Sequence, residues 1–283
     1  MTTAAAERRA VGARVRLWLG LGLLGALAAA AVLAPWLSPH DPGVPDLLAR
    51  YAEPSARHPL GTDELGRDVL ARLLSGARVS LAVGVATALA ATAIGAAVGL
   101  YAAWRGGWPD AALMRLADGL LALPALPLLV MLAAVDTSAV GLPRGEAASD
   151  VARVVAILSV FGWVGVARLA RASALSVLAR DWVRAARALG AGEGRVLRRH
   201  VLPSLAAPVA VAASLTAAGA VLAESTLSFL GLGIQPPAAS WGNMLANAQD
   251  LVLSAPLVAL WPGLAIVAAV AGFALVADGV GGR

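Results

Sequence analysis

Apolar residues in this chain run in long unbroken blocks rather than alternating with polar ones. A helix needs about 20 mostly apolar residues to cross a bilayer core. Residues 17–37 make one such block without a charge, and residues 79–104 make a second. A third covers 112–135 and contains Arg115 and Asp118. A fourth, 151–169, carries Arg153 and Arg168 near its ends, where arginines can snorkel to the interface. A fifth, 204–229, holds Glu224, and a sixth runs over 251–278. The pattern predicts an all-α membrane protein with six transmembrane helices. Residues 1–16 form the segment before the first span, and 79–280 form the membrane core.

Between the first two spans, residues 38–78 form the longest loop. From Asp68, the spacing of Val69, Leu70, Leu73, Leu74, Ala77 and Leu81 is helical. It predicts an amphipathic helix lying at the membrane interface and leading into the second span. Pro124 and Pro127 predict a kink or local unwinding in the third span. Gly95 and Gly99 are spaced for close helix approach. After the fifth span, Gly231 to Pro237 breaks the helix, and the irregular stretch to Asn247, with Trp241, reads as re-entrant or interface-lying.

Composition agrees with the blocks: 59% of residues are hydrophobic and only 14% charged, with a mean hydropathy of +0.78. All 22 basic residues are arginine, and 15 of them fall on the same side as the N-terminus in the predicted topology. The positive-inside rule then places both termini in the cytoplasm. A cleaved signal peptide fits poorly, because the first apolar run is long and Pro35 follows its best small-residue site. Basic charge interleaved with apolar runs points to the lipid surface rather than to nucleic acid. Without lysine the chain cannot build a phosphate loop, so it is no ATPase. Without cysteine it has no thiolate site. Its three histidines, His40, His58 and His200, are split between the two sides and read as surface or turn residues, so no metal or nucleophile cluster is expected. An intramembrane enzyme is therefore disfavoured. A stand-alone secondary transporter predicts inverted repeats, and none is visible.

The loop 170–203 carries the chemistry. Asp181 is placed to cap a short helix that Gly190 ends. A second short helix is expected through Arg195–His200, stopping at Pro203. With Ala185 and Ala186 at its middle, one face is almost bare and suits a partner's groove. The alternative is a basic loop resting on anionic lipid.

The stretch Arg184-Ala185-Ala186 to Gly190 and on to Leu202-Pro203 resembles the EAA loop of ABC importer permeases, E-A-A-x-x-x-G-x(9)-I-x-L-P. It departs at Arg184, where the pattern has Glu, and at His200, where it has Ile. The likeness extends to His58–Asp68, Met114–Asp118, Leu222–Gly233, Gln235-Pro236-Pro237 and Ser240–Leu245, which resemble the second permease subunit of the dipeptide/oligopeptide branch. The resemblance implies a type I importer permease carrying di- or oligopeptides. Nickel, glutathione and other small solutes remain alternatives within the same architecture. It also implies a second permease as heterodimer partner, an extracytoplasmic solute-binding protein and two ABC ATPases. The cofactors, ATP and Mg, would sit on those ATPases and none on this chain. The ATPase-coupling residues implied are Arg184, Ala185, Ala186, Leu189, Gly190, Leu202 and Pro203. Asp118 and Glu224 are charges inside spans. Asp118 is expected to pair with Arg115 three residues earlier or to serve helix packing at the permease dimer. Glu224 is expected to line a hydrated path or the dimer interface.

Overall fold

The computed structural model describes residues 3–135, 145–246 and 255–282. Among these, regular structure is helical, with one isolated bridge between Thr62 and Asp68. The helices in chain order are α1 (Thr3–Val32), α2 (Ala34–Leu37), α3 (Val69–Arg105), α4 (Gly107–Ala122), α5 (Ala125–Ala134), α6 (Ala147–Leu178), α7 (Asp181–Ala188), α8 (Glu193–Val196), α9 (Leu202–Phe229) and α10 (Pro256–Gly281). A π turn, Leu197–Val201, joins α8 to α9. Among the described residues, five helices are long and apolar enough to cross a membrane: α1 from Val11, α3, α6, the run Glu193–Phe229, and α10.

The third expected span is broken at Pro124, where a kink or local unwinding is expected. The run 112–135 is not one helix but the pair α4 and α5, bent by 88°. Pro124 removes an N–H and biases Leu123 away from the helical region, and Leu123 is extended at φ −81°, ψ 140°. At 1.5 Å per residue α4 reaches about 24 Å and α5 about 15 Å. Each falls short of a ~30 Å hydrocarbon core, so the pair makes a sixth crossing only when taken together.

Other boundaries shift too. The expected interface helix before residue 79 does not exist as a separate element, because α3 runs unbroken for 37 residues from Val69. Its first turns are core, with Val69, Ala71, Arg72, Leu74, Ala77 and Ser80 buried. Helix α6 extends past 151–169 at both ends, so the following loop begins at Ala179 rather than residue 170. Residues 251–254 of the sixth block lie outside the described residues, and α10 starts at Pro256.

Small residues set the packing. A Cβ added at Gly95 or Gly99 would collide with α6, at Trp163 and Val166 or at the Ala167 carbonyl. The two glycines thus bring α3 and α6 to backbone contact, where dispersion replaces the missing hydrophobic drive between helices in lipid. Helix α1 lies along α10 through Gly20 and Gly272, and Arg16 pairs with Asp278 at 3.6 Å. Both described ends of the chain therefore lie at one end of the bundle.

The opposite end is held by buried polar knots. Asp63 accepts from Arg67 Nε at 2.7 Å and faces Arg72 Nε at 3.3 Å, which folds the loop onto the start of α3. Arg78 donates to the Ala31 and Val32 carbonyls, the orphan acceptors at the end of α1. Asp150 and Arg153 of α6 pair at 3.1 Å, Asp150 accepts from the Gln235 amide, and Arg153 donates to the Gly233 carbonyl. Glu224 of α9 accepts from Ser80 of α3 at 2.9 Å and from Ser228 at 2.7 Å. Both serines pass the order on: Ser80 Oγ accepts from the Trp241 amide and Ser228 Oγ from the Ile234 amide. The irregular stretch 230–246 is thereby tucked into the bundle, with Trp241 1% exposed and its indole donating to the Leu73 carbonyl. Its expected far end, Asn247, lies outside the described residues.

Two outcomes test this packing. Gly99→Ala should lower the melting temperature of the detergent-purified chain through overpacking, which costs about 1–3 kcal/mol in well-filled sites. Gly119→Ala, whose added methyl meets nothing within 4 Å, should leave it unchanged or raise it slightly. Glu224→Ala orphans two buried hydroxyl donors at about 1–3 kcal/mol each. It should melt well below Glu224→Gln, which keeps one carbonyl acceptor.

Candidate functional site

The loop between α6 and α9 is a compact helix–turn–helix. Helix α7 ends because Gly190 takes φ +86°, a left-handed conformation open to glycine without strain. The amide of Ala191 then reaches the Ala186 carbonyl at 3.0 Å and that of Gly190 the Arg187 carbonyl at 2.9 Å. These two bonds are the Schellman pattern, which satisfies carbonyls the helix end would leave bare. Arg187 and Glu193 clamp the turn with bonds of 3.0 and 3.1 Å.

One face of this element is anchored. Val183, Val196 and Val201 are buried against Ala103 of α3, Ala170 and Ala174 of α6, and Leu205 of α9. The other face is open. Leu189 is 89% exposed, Arg184 and Ala185 are exposed, and Ala186 is partly so. Arg184 reaches only Asp181, at 3.5 Å between two exposed side chains, a contact worth little in water. Trp182 meets His200 edge-on at 5.1 Å between centroids, so the histidine supplies a flat partner for the first helix. Beside them Arg195, Arg198 and Arg199 line an open basic hollow of about 430 Å³. Such a surface has no nucleophile and no metal-ligand set; it can dock.

Two local expectations need correction. Asp181 is not the cap of α7 but its first residue; Arg180 occupies the cap position without a side-chain bond. Nor does the second helix stop at Pro203. The chain continues from Glu193 to Phe229, because the π turn shifts the bonding register just where Pro203 has no N–H to give. Leu202 and Pro203 sit at that junction, at the root of α9, 45% exposed and exposed respectively.

The remaining sequence candidates lie elsewhere. Asp118 does not pair with Arg115; it faces Arg168 of α6 at 3.7 Å, with both side chains more than half exposed. Beside it Asp110 and Arg171 form a two-pronged pair at 2.5 Å that no spacing along the chain signals. Together they tie α4 to α6. The expectation for Glu224 is a path or a dimer face, yet it is 0% exposed within this chain alone, enclosed by its own serines. The histidines also depart from expectation. His40, His58 and Asp68 converge at the far end of the bundle, with candidate ligand atoms within 4.8 Å of one another. Two turns of loop 38–68, closed by its buried salt bridges, make that contact, and spacing alone gives no sign of it.

Residues 95–282 match the family model described as binding-protein-dependent transport system inner membrane component. A putative peptide transport system permease protein of Brucella suis is 39% identical over 262 residues, covering 93% of this chain and 84% of that protein. A second Brucella suis protein, a putative peptide permease, is 39% identical over 263 residues, 92% of this chain and 83% of its own length. The probable D,D-dipeptide transport system permease protein DdpC of Escherichia coli is 38% identical over 249 residues, 88% of this chain and 80% of that one. With five long apolar helices, one bent pair and an open helix–turn–helix between the fourth and fifth crossings, the chain belongs to the binding-protein-dependent transport system inner membrane components, and is a permease of the type I ABC importer fold rather than an ATPase.

Proposed function

We propose that this chain is one half of the membrane gate of an ATP-driven importer of di- or oligopeptides. The observation that carries the reading is the helix–turn–helix at Asp181–Val201: anchored by three buried valines on one face, and bare at Ala185, Ala186 and Leu189 on the other. A face of small side chains around one protruding leucine fits a groove on a partner, with the surrounding arginines meeting acidic groups at the rim. The partner is one of two ABC ATPases, which hold ATP and Mg. A second permease subunit completes the path, and an extracytoplasmic solute-binding protein delivers the peptide. Peptide as cargo is supported by the names of the three relatives.

The same reading orients the chain. The coupling element and both described ends share one end of the bundle, and most arginines fall there, which favours the cytoplasmic side. ATP binding and peptide delivery then bias the same two-state gate through their differential affinities.

Two measurements test the proposal. Leu189→Asp should leave the melting temperature near wild type, since the side chain touches solvent, but weaken co-purification of the ATPases by about 30-fold or more, the effect of losing one hot-spot anchor. Unchanged association would remove the coupling role. In proteoliposomes holding both permeases, both ATPases and the binding protein, labelled dipeptide should accumulate only with ATP. Accumulation by this chain alone under an ion gradient would overturn the importer reading.

A further inference from the structure

His40, His58 and Asp68 reach one point from three separate segments. Asp68 caps α3, with one carboxylate oxygen accepting from the Ala71 amide at 2.7 Å. Its other oxygen is 2.9 Å from His58 Nδ1 and 3.9 Å from His40 Nδ1. The imidazole rings stand 4.8 Å apart and tilted, so neither blocks the other's nitrogen. Asp68 is 2% exposed, while both histidines are only partly buried. His40 Nδ1 is itself buried and has no hydrogen-bond partner. A buried ring nitrogen aimed at a carboxylate and left unpaired needs an explanation.

We infer that His40, His58 and Asp68 form a binding site for a zinc-like divalent transition-metal ion, which fastens the loop 38–68 to the start of α3. Two imidazoles and a carboxylate are the hard-to-borderline donor set that such ions take, and they do not suit soft Cu(I). A tetrahedral ion with bonds near 2.0–2.1 Å holds its ligand atoms about 3.3 Å apart. The separations of 2.9 and 3.9 Å bracket that figure, and rotation of the His40 ring closes the set. The ion would take the place of the hydrogen between His58 Nδ1 and Asp68, with the imidazole carrying its proton on Nε2 instead, and would give His40 Nδ1 its missing partner. The Ala71 amide orients the carboxylate from behind. A hollow of about 300 Å³ lined by Ser38, His40, Asp41 and Arg78 opens beside His40 and leaves room for a water as fourth ligand.

The test uses the full chain in detergent, stripped with chelator and titrated with Zn²⁺ alone. Wild type should take up one equivalent, and Co²⁺ in its place should give the visible bands of a tetrahedral N/O site. His40→Ala should weaken binding more than about 100-fold, beyond the 10–100-fold typical of losing a mere supporting group. Because His40 Nδ1 makes no hydrogen bond, that variant should melt like metal-free wild type. Asp68→Asn is a poorer probe, since it also weakens the cap of α3. Zn²⁺ should raise the melting temperature of wild type and of His200→Ala, and not of His40→Ala. Equal uptake by wild type and His40→Ala, or no stoichiometric uptake by wild type, would overturn the assignment.

Discussion

A polar group inside a membrane bundle has no water to fall back on, and that constraint decides how this chain is built. Glu224 is its sharpest case. A carboxyl with no exposure must be satisfied from within, and here Ser80 and Ser228 do so from two helices. Each serine then takes an amide from the stretch that follows α9, so one carboxyl holds α3, α9 and an otherwise irregular segment together. Remove that anchor and the stretch 230–246 loses its tie to α9 and to Ser80 of α3, keeping only those to α6 and to the Leu73 carbonyl. Its apolar side chains would be indifferent between bundle and lipid.

The same economy repeats around it. Asp150 and Arg153 secure the other side of the segment, and Asp63 gathers two arginines at the start of α3. Buried ion pairs contribute modestly to net stability, but breaking one is costly. They therefore serve to fix one arrangement among several that apolar contact would tolerate. At the opposite end the logic inverts. The helix–turn–helix keeps three valines inside and leaves its arginines and Leu189 in solvent. One end of the molecule is closed upon itself, and the other presents an open face to solvent.

This division governs what is legible in the sequence. Spans are legible because hydropathy is additive along the chain, and the family likeness because the spacing from Ala185 to Pro203 survives the loss of Glu and Ile. Gly190 as a helix terminator is legible too, since a positive φ leaves few other choices. Contacts that depend on three-dimensional return are not. Nothing in the sequence announces that His40 and His58 meet over Asp68, or that Asp118 prefers Arg168 on another helix to Arg115 on its own. Pro203 misleads for a local reason: a proline normally stops a helix entering from the N-terminal side, but a π turn absorbs it. The partners of Glu224 are not legible either, because they are serines, which hydropathy barely registers.

The absorbed proline has a mechanical consequence. Because the helix runs from Glu193 to Phe229 without a break, the second half of the helix–turn–helix and the Glu224 knot share a single rod about 55 Å long, and Arg187 of α7 is clamped to its start through Glu193. Had Pro203 ended the second short helix, a displacement of α7 and α8 would have been lost in a flexible joint. As built, Val196 and Val201 grip the ends of α3 and α6 at one end, while Glu224 grips α3 through Ser80 near the other. A displacement of α8 is therefore shared by α9 and α3 through two attachments. Packed helices of this kind move between discrete arrangements rather than deforming continuously. The knot that satisfies a buried carboxyl thus also joins α9 to α3.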